Sequence, residues 1–335
     1  MLPSPLSHLR PEAPNIKGFK RSASCTSNSS HASRLRIAGP IVWCLAAAGT
    51  FYLGCAGWEV YQDAKEAKKR RMWPASTTSS VTHDQLEAAR AASRTRHRHS
   101  GPILEQIQIS SGTFSNLAGA DKMVAGAIGL NTVIHGICRI LPGIQWQFAH
   151  VPAGPFNYTL LTSMFGHAGL LHLGANMYGL YNFAPAVAQS RVFERSGAHL
   201  TAFYLSAGVF ASLASHLTSK WASPRALRSG FLTPGLGASG AIFGVLGAWA
   251  MLFPDAHVGI LLLPGRLPAD EALVGIALFE TYGLAVGFKS LNFGHAAHLA
   301  GLTVGAGYVY FDGNRRLWKP ARRFMFNQMK RLGVV

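Results

Sequence analysis

A serine and a histidine in the C-terminal half of the chain are of the residue types that perform acyl transfer. Ser239 lies in a glycine-rich stretch, residues 235–244, and begins an apolar run that continues through Leu252. His298 lies near one end of a later apolar run. A serine hydroxyl becomes an effective nucleophile when a base takes its proton, and histidine is the usual base near neutral pH. We therefore predict that Ser239 is a nucleophile and that His298 is its general base.

Small residues recur at every fourth position in both apolar runs. In the first run they are Gly240, Gly244 and Ala248, and in the second run Ala297, Gly301 and Gly305. Residues four apart share one face of a helix, and small residues on that face let two helices approach closely. Two such faces in contact would bring Ser239 and His298 within hydrogen-bond distance. Small-residue faces also serve general helix packing, so the serine and histidine at matching ends are the more specific signal.

A second polar group precedes Ser239 in the chain. His172 and Asn176 are four residues apart and would share a helix face, and His167 precedes them. Polar side chains inside a bilayer need partners or a wet cavity, so this group predicts either a functional site or hydrogen bonds between helices. In a site, His172, the Asn176 amide and the backbone N–H of Ser239 would stabilise the negative charge that develops during acyl transfer.

The surrounding sequence argues against several other types of hydrolase site. Position 241 is alanine, so the stretch lacks the G-x-S-x-G pattern of soluble serine hydrolases. The His-Glu-x-x-His pattern of zinc proteases is absent, and we predict neither a metal ion nor a cofactor. No acidic residue stands near His298 in the sequence, which predicts a Ser–His dyad rather than a triad. Glu280 is the one acid well inside a predicted membrane segment, and the sequence assigns it no role.

The composition predicts a helical protein that crosses a lipid bilayer several times. Hydrophobic residues make up 49% of the 335 residues and charged residues only 13%, and apolar runs of about 20 residues recur along the chain. The basic residues behind the formal net charge of +17 lie mostly outside these runs, as is typical of basic flanks on membrane helices. We therefore predict no nucleic-acid partner. The four cysteines are scattered and form neither a disulfide framework nor a metal-binding pattern.

The chain divides into five parts by composition. Residues 1–36 are basic, rich in serine and almost free of acids, which predicts a transit peptide or, alternatively, a disordered basic tail. Residues 37–61 form the first predicted span, and residues 62–116 a basic polar linker. Residues 117–312 hold six further spans, and residues 313–335 form a basic tail expected at the membrane surface. The six spans are predicted over residues 122–141, 158–188, 198–217, 239–254, 269–288 and 293–311.

Three motifs in this order resemble the rhomboid family of intramembrane serine proteases. They are His167-x4-His172-x3-Asn176, Gly237-Ala238-Ser239-Gly240 and Ala297-His298-x2-Gly301-x3-Gly305. The resemblance implies an all-α polytopic membrane protein with a six-helix rhomboid core, here with one additional N-terminal transmembrane helix. It also implies a Ser239–His298 dyad, an oxyanion hole that includes His172 and Asn176, and cleavage of transmembrane protein substrates. The supporting residues would be His167, Gly237, Gly240, Phe243, Gly301 and Gly305.

One span before a six-span core, after a basic presequence, resembles the mitochondrial inner-membrane branch of this family. We therefore expect a multi-pass protein of the mitochondrial inner membrane, with residues 1–36 as its transit peptide. Two positions depart from the family pattern. Phe243 replaces a frequent tyrosine, which leaves a ring that can pack on His298 but has no hydroxyl, and Gln147 rather than arginine follows Trp146.

Two other functions are compatible with a membrane protein of this composition. A catalytically silent rhomboid-like protein would bind or escort membrane helices, and loss of the serine or the histidine would mark it, but both are present. A transporter would favour broken helices and repeated halves, and the sequence shows no internal repeat. The residues favour the protease.

Overall fold

The structure is a computed structural model that describes residues 35–70, 81–98, 119–219, 232–259, 265–287 and 294–335. Nearly all of the predicted transit peptide and much of the linker lie outside the described residues, so the boundaries of the five parts stay predictions. The described residues form helices and one pair of short strands. The prediction of an all-α membrane protein is confirmed by this architecture.

Ten α-helices follow one another in the described residues. They are α1 (Ala38–Lys69), α2 (His83–Arg98), α3 (Gly119–Ile140), α4 (Thr159–Thr162), α5 (Leu170–Gln189), α6 (Gly197–Thr218), α7 (Ser239–Leu252), α8 (Ala269–Ala285), α9 (His295–Tyr310) and α10 (Lys319–Arg331). Shorter helical segments, of 3₁₀ or π type, cover Pro142–Phe148, Ser163–Phe165 and Asn314–Trp318. The strands β1 (His257–Val258) and β2 (Leu267–Pro268) pair antiparallel.

The long apolar helices agree with several of the predicted spans. Within the described residues, α1, α3 and α6 are long and apolar enough to cross a membrane, judged by length and composition. Helix α7 is a shorter apolar helix of 14 residues. Helices α5, α8 and α9 occupy the positions of the remaining predicted spans. Each predicted span therefore contains at least one helix.

The third predicted span, residues 158–188, is interrupted and is not one continuous helix. A 3₁₀ segment follows α4, and α5 begins only after a short connection. Gly166 starts this connection with an extended backbone that packs against Phe148, where a Cβ would lie 2.1 Å from the carbonyl oxygen. His167 consequently lies in the connection, whereas His172 lies in the first turn of α5.

Helix α7 packs against α5, α6, α8 and α9 and lies in the centre of the described core. Its residues Ala241, Val245 and Ala248 are almost fully buried. Glycine and alanine on several sides of this helix let its neighbours approach closely. Helices α5, α6, α8 and α9 thus surround the helix that begins with Ser239.

Helices α7 and α9 touch through their backbones. A Cβ on Gly301 would lie 2.0 Å from the carbonyl oxygen of Gly240, and a Cβ on Gly305 would lie 1.9 Å from that of Gly244. The predicted contact between the two small-residue faces is therefore present. Later residues of α7 meet later residues of α9, so the two helices run parallel and their N-terminal ends are neighbours.

The N-terminal helices and the C-terminal helix pack together. Helix α1 packs along α6, and α10 packs against α1. Arg322 of α10 is 1% exposed and forms ion pairs with Glu59 and Asp63 of α1 and Glu87 of α2. The segment predicted as a basic tail at the membrane surface is thus largely helical, and a buried arginine joins it to α1 and α2.

Candidate active site

Ser239 is the first residue of α7, and backbone hydrogen bonds hold the loop that precedes it. Gly235 pairs with His150 through two hydrogen bonds of 2.8 Å. The Gly237 N–H donates to the Ser163 carbonyl oxygen at 2.9 Å. Gly237 has a φ of +125°, a conformation that glycine adopts with little strain and other residues rarely adopt. The loop therefore follows a defined path to Ser239.

His298 lies in the first turn of α9, next to the start of α7. Its Nε2 atom is 2.8 Å from the Oγ of Ser239, which is the hydrogen-bond distance expected from the two small-residue faces. Phe243, one helical turn after Ser239, lies flat on the imidazole, with ring centroids 4.2 Å apart and 11° between the ring planes. One turn of α7 therefore contacts both an edge and a face of the His298 ring.

A carboxylate lies on the other side of the same imidazole. Glu280 of α8 is 3% exposed, and its Oε1 is 3.0 Å from Nδ1 of His298. Its Oε2 is 2.5 Å from Nδ1 of His295. The sequence predicts a dyad with no acid beside His298, because Glu280 approaches from the preceding helix rather than from neighbouring positions. The available signal was that Glu280 is the one acid well inside a predicted span.

His172 lies beside the turn that precedes Ser239. A Cβ on Gly237 would lie 2.8 Å from Nε2 of His172 and 3.8 Å from the Oγ of Ser239. The Ala168 N–H donates to Nδ1 of His172 at 3.4 Å, which places the proton of a neutral ring on Nε2. The space that a side chain at position 237 would fill is thus bordered by a histidine N–H and by the serine hydroxyl.

Asn176 and His167 belong to the same polar segment but make different contacts. The Nδ2 of buried Asn176 donates a hydrogen bond of 2.7 Å to the His172 carbonyl oxygen, one turn earlier. This amide carries a second N–H that can serve another acceptor. The Nε2 of buried His167 accepts the Ala238 N–H at 3.5 Å. Asn176 therefore keeps a donor, whereas His167 contacts the loop before Ser239.

The remaining supporting residues shape the contact between α7 and α9. Gly240, Gly301 and Gly305 lie where the two backbones meet, and Phe243 packs on His298. In the part of the chain that the structure describes, no group of three or more His, Cys, Asp or Glu side chains is arranged to hold a metal ion. The arrangement brings a hydroxyl, an imidazole and a carboxylate into one line of contacts, which suits proton transfer from the hydroxyl.

Known proteins similar to this chain share a common family description. The family model for the Rhomboid domain matches residues 156–315, which include every predicted site residue. The chain is 32% identical over 212 residues to "Presenilin-associated rhomboid-like protein, mitochondrial" of Homo sapiens, which covers 62% of this chain and 52% of that protein. It is 31% identical over 199 residues to "Rhomboid protein 1, mitochondrial" of Saccharomyces cerevisiae, which covers 57% of this chain and 53% of that protein.

A plant relative adds to this group. The chain is 32% identical over 156 residues to "RHOMBOID-like protein 12, mitochondrial" of Arabidopsis thaliana, which covers 44% of each. The chain spans about half the length of the relatives it matches. All three relatives are named as mitochondrial proteins, in agreement with the location predicted for this chain. The chain therefore contains a Rhomboid domain over residues 156–315 and is similar to mitochondrial rhomboid proteins of three organisms.

Proposed function

We propose that this protein is an intramembrane serine protease in which Ser239 is the nucleophile and His298 the general base. The observation that carries the proposal is the 2.8 Å contact between Oγ of Ser239 and Nε2 of His298 inside a Rhomboid domain. An imidazole at this distance can take the serine proton while the oxygen attacks a carbonyl carbon.

The reaction proceeds in two halves through an acyl-enzyme. The Oγ of Ser239 attacks the carbonyl carbon of a peptide bond, and its proton passes to Nε2 of His298. His298 then gives the proton to the leaving amine, the C–N bond breaks, and an ester remains on Ser239. The same imidazole deprotonates a water molecule, which hydrolyses the ester and restores the serine hydroxyl.

The tetrahedral intermediate carries a negatively charged oxygen that needs donors near Ser239. The Nε2–H of His172 borders the space beside Gly237, and the Asn176 amide has a spare N–H. The backbone N–H of Ser239 stands at a helix start, where amides lack acceptors within the helix. We assign these three donors to the oxyanion hole. Loss of one such donor raises the barrier by about 3 kcal/mol, roughly a hundredfold in rate.

The proposed substrates are transmembrane segments of other membrane proteins, and the proposed location is the mitochondrial inner membrane. The site lies in a helical core that contains membrane-length apolar helices, and the similar proteins are named mitochondrial. A substrate helix has to unwind beside Ser239, because the carbonyl groups of an intact helix are already hydrogen-bonded and its side chains cover the peptide bond.

Serine labelling together with substrate cleavage tests the proposal. Purified protein in detergent should react with a fluorophosphonate probe and should cleave a model transmembrane substrate. Ser239→Ala should abolish both reactions, and His298→Ala should lower cleavage by about 10³-fold or more. Ser206→Ala is the matched control, because it alters a buried serine on the neighbouring helix α6 and should leave both reactions unchanged.

Two results would contradict the protease assignment. Cleavage by Ser239→Ala at the normal rate would exclude this serine as the nucleophile. A wild-type protein that binds the transmembrane substrate, takes up no probe and leaves the peptide bond intact would support the catalytically silent rhomboid-like protein instead.

A further inference from the structure

We propose that Glu280 is a positioning residue for His298, so that the site works as a Ser239–His298–Glu280 triad. This inference rests on the proposed protease function and extends it by one residue on a third helix. Ser239, His298 and Glu280 lie on α7, α9 and α8 respectively. Glu280 reaches the reacting atoms only through the imidazole.

Two hydrogen-bond contacts connect the carboxylate to the nucleophile through the imidazole. Oε1 of Glu280 is 3.0 Å from Nδ1 of His298, and Nε2 of the same ring is 2.8 Å from Oγ of Ser239. Both ring nitrogens of His298 are therefore occupied, one by the acid and one by the serine. A histidine that acts as a general base between a hydroxyl and an acid needs this pair of contacts.

An ionised carboxylate determines which nitrogen of the imidazole carries the proton. It can only accept hydrogen bonds, so the neutral ring must place its proton on Nδ1. Nε2 then presents a lone pair to the Ser239 hydroxyl, which is the form of the base that can accept a proton. After proton transfer the ring is positively charged, and the negative charge of Glu280 stabilises it at close range in a buried site.

His295 holds the carboxylate in the orientation that this role requires. Oε2 of Glu280 is 2.5 Å from Nδ1 of His295, so each carboxylate oxygen faces the Nδ1 of one histidine. His295 and His298 are three residues apart on α9 and share a face of that helix. With Oε2 bonded to His295, rotation of the carboxylate is restrained and Oε1 stays on His298.

A purely structural role for Glu280 is the competing explanation. A buried acid could simply join α8 to α9 through two hydrogen bonds. An ionisable group inside the membrane is costly, however, and is by default a sign of function. Glu280 is 3% exposed, and one of its two oxygens contacts the histidine that is hydrogen-bonded to Ser239. This placement favours the positioning role.

Three variants on the same helix separate the two explanations. Glu280→Gln keeps the shape and removes the charge, and it should lower kcat by about 100-fold or more while KM changes by no more than about threefold. Glu280→Asp keeps the charge on a shorter side chain, and its kcat should be about tenfold higher than that of Glu280→Gln. Glu271→Gln is the control, because it removes an exposed carboxylate from the first turn of α8 and should leave kcat and KM unchanged.

Thermal unfolding in detergent shows whether each variant remains folded. If Glu280 has a purely structural role, Glu280→Gln should unfold at a lower temperature, and the protein that remains folded should keep the wild-type kcat. That result, with Ser239→Ala and His298→Ala inactive, would overturn the triad and leave the dyad intact. If Ser239→Ala itself remains active, the proposed protease mechanism is wrong, whatever the result for Glu280→Gln.

A measurement on the unaltered protein covers the case in which Glu280→Gln does not fold. Nitrogen-15 NMR of histidine-labelled protein should show the His298 proton on Nδ1, with the signal assigned by its loss in His298→Ala. A proton found on Nε2 of neutral His298 would contradict the positioning role, because that ring could not accept the Ser239 proton.

Discussion

The imidazole ring of His295 occupies the space that a side chain on Gly283 would need. A Cβ at Gly283 would lie 2.4 Å from Cε1 of His295 and 2.5 Å from its Nδ1. Gly283 follows Glu280 by three residues on α8, and His298 follows His295 by three residues on α9. The missing side chain therefore lets one face of α8 meet one face of α9, with the carboxylate facing both histidines.

Substitution of Gly283 should consequently impair catalysis through His295. In Gly283→Ala the added methyl displaces the His295 ring, so Oε2 of Glu280 loses its donor and the carboxylate is held less firmly. Loss of one hydrogen bond to a charged group predicts a drop in kcat of about tenfold. Gly275→Ala on the same helix is the control, since a Cβ there meets nothing within 4 Å. Equal kcat values for the two variants in a substrate-cleavage assay would contradict this prediction.

Gly237 is the second position at which a single methyl should have a large effect. A Cβ there would meet the His172 ring at 2.8 Å, and the residue has a φ of +125°. Gly237→Ala should lower kcat by about 100-fold or more, because the methyl fills the space assigned to the oxyanion. It should also lower the free energy of unfolding by about 1–2 kcal/mol through backbone strain.

The two effects of Gly237→Ala can be separated with Gly265→Ala. Gly265 has a φ of +110°, but a Cβ there meets nothing within 4 Å. Its alanine variant should lose a similar amount of stability in thermal unfolding and keep the wild-type kcat. If the control loses activity to the same degree, backbone strain rather than pocket filling is responsible.

The parts of the site that could be predicted from sequence depend on spacing within single helices. Gly240 and Gly244 are four residues apart, as are Gly301 and Gly305. Each pair therefore predicts one face of a helix from the sequence alone. Two such faces have few ways to meet, and the structure has the expected one. The approach of Ser239 and His298 follows from that contact, whereas their catalytic roles remain proposals.

The parts that could not be predicted depend on contacts between distant segments. The hydrogen bond between Glu280 and His298 depends on how α8 packs against α9. The spacing of residues within either helix does not predict that packing. The interruption before α5 lies where the Gly166 backbone meets Phe148, whereas the hydropathy of the segment resembles that of a continuous span. In both cases the missing information concerns which segments of the chain are neighbours.

The contact between α7 and α9 should be sensitive to any side chain at Gly301. A Cβ there would lie 2.0 Å from the Gly240 carbonyl oxygen, so Gly301→Ala has to separate the two backbones. We expect a loss of about 1–3 kcal/mol in the free energy of unfolding, and loss of fluorophosphonate labelling as His298 moves away from Ser239. Gly307→Ala on the same helix is the control, because its Cβ meets nothing within 4 Å. Similar labelling of the two variants would show that this close contact does not position the base.

Arg322 should contribute to stability rather than to chemistry. Its side chain is 1% exposed and lies 2.6 Å from Glu59 and 2.7 Å from Glu87, and it also pairs with Asp63. Arg322→Met removes one of the two buried arginines of this cluster, whereas Arg90 still contacts Glu59 at 2.5 Å and Asp63 at 3.4 Å. Because the carboxylates are partly exposed and Arg90 remains, we expect a loss of up to about 3 kcal/mol in the free energy of unfolding. Thermal or denaturant-induced unfolding in detergent measures this loss.

A neighbouring arginine and a second substitution test whether charge is the cause. The Arg323 side chain is 63% exposed, and its one ion pair within the described residues is with the exposed carboxylate of Asp84 at 3.4 Å. Arg323→Met should therefore lower the free energy of unfolding by no more than about 1 kcal/mol. Adding Glu87→Gln to Arg322→Met should restore part of the lost stability, because the carboxylate that lost its arginine is then neutral. If the double variant is less stable than Arg322→Met alone, packing of the arginine side chain rather than its charge joins α10 to α1 and α2.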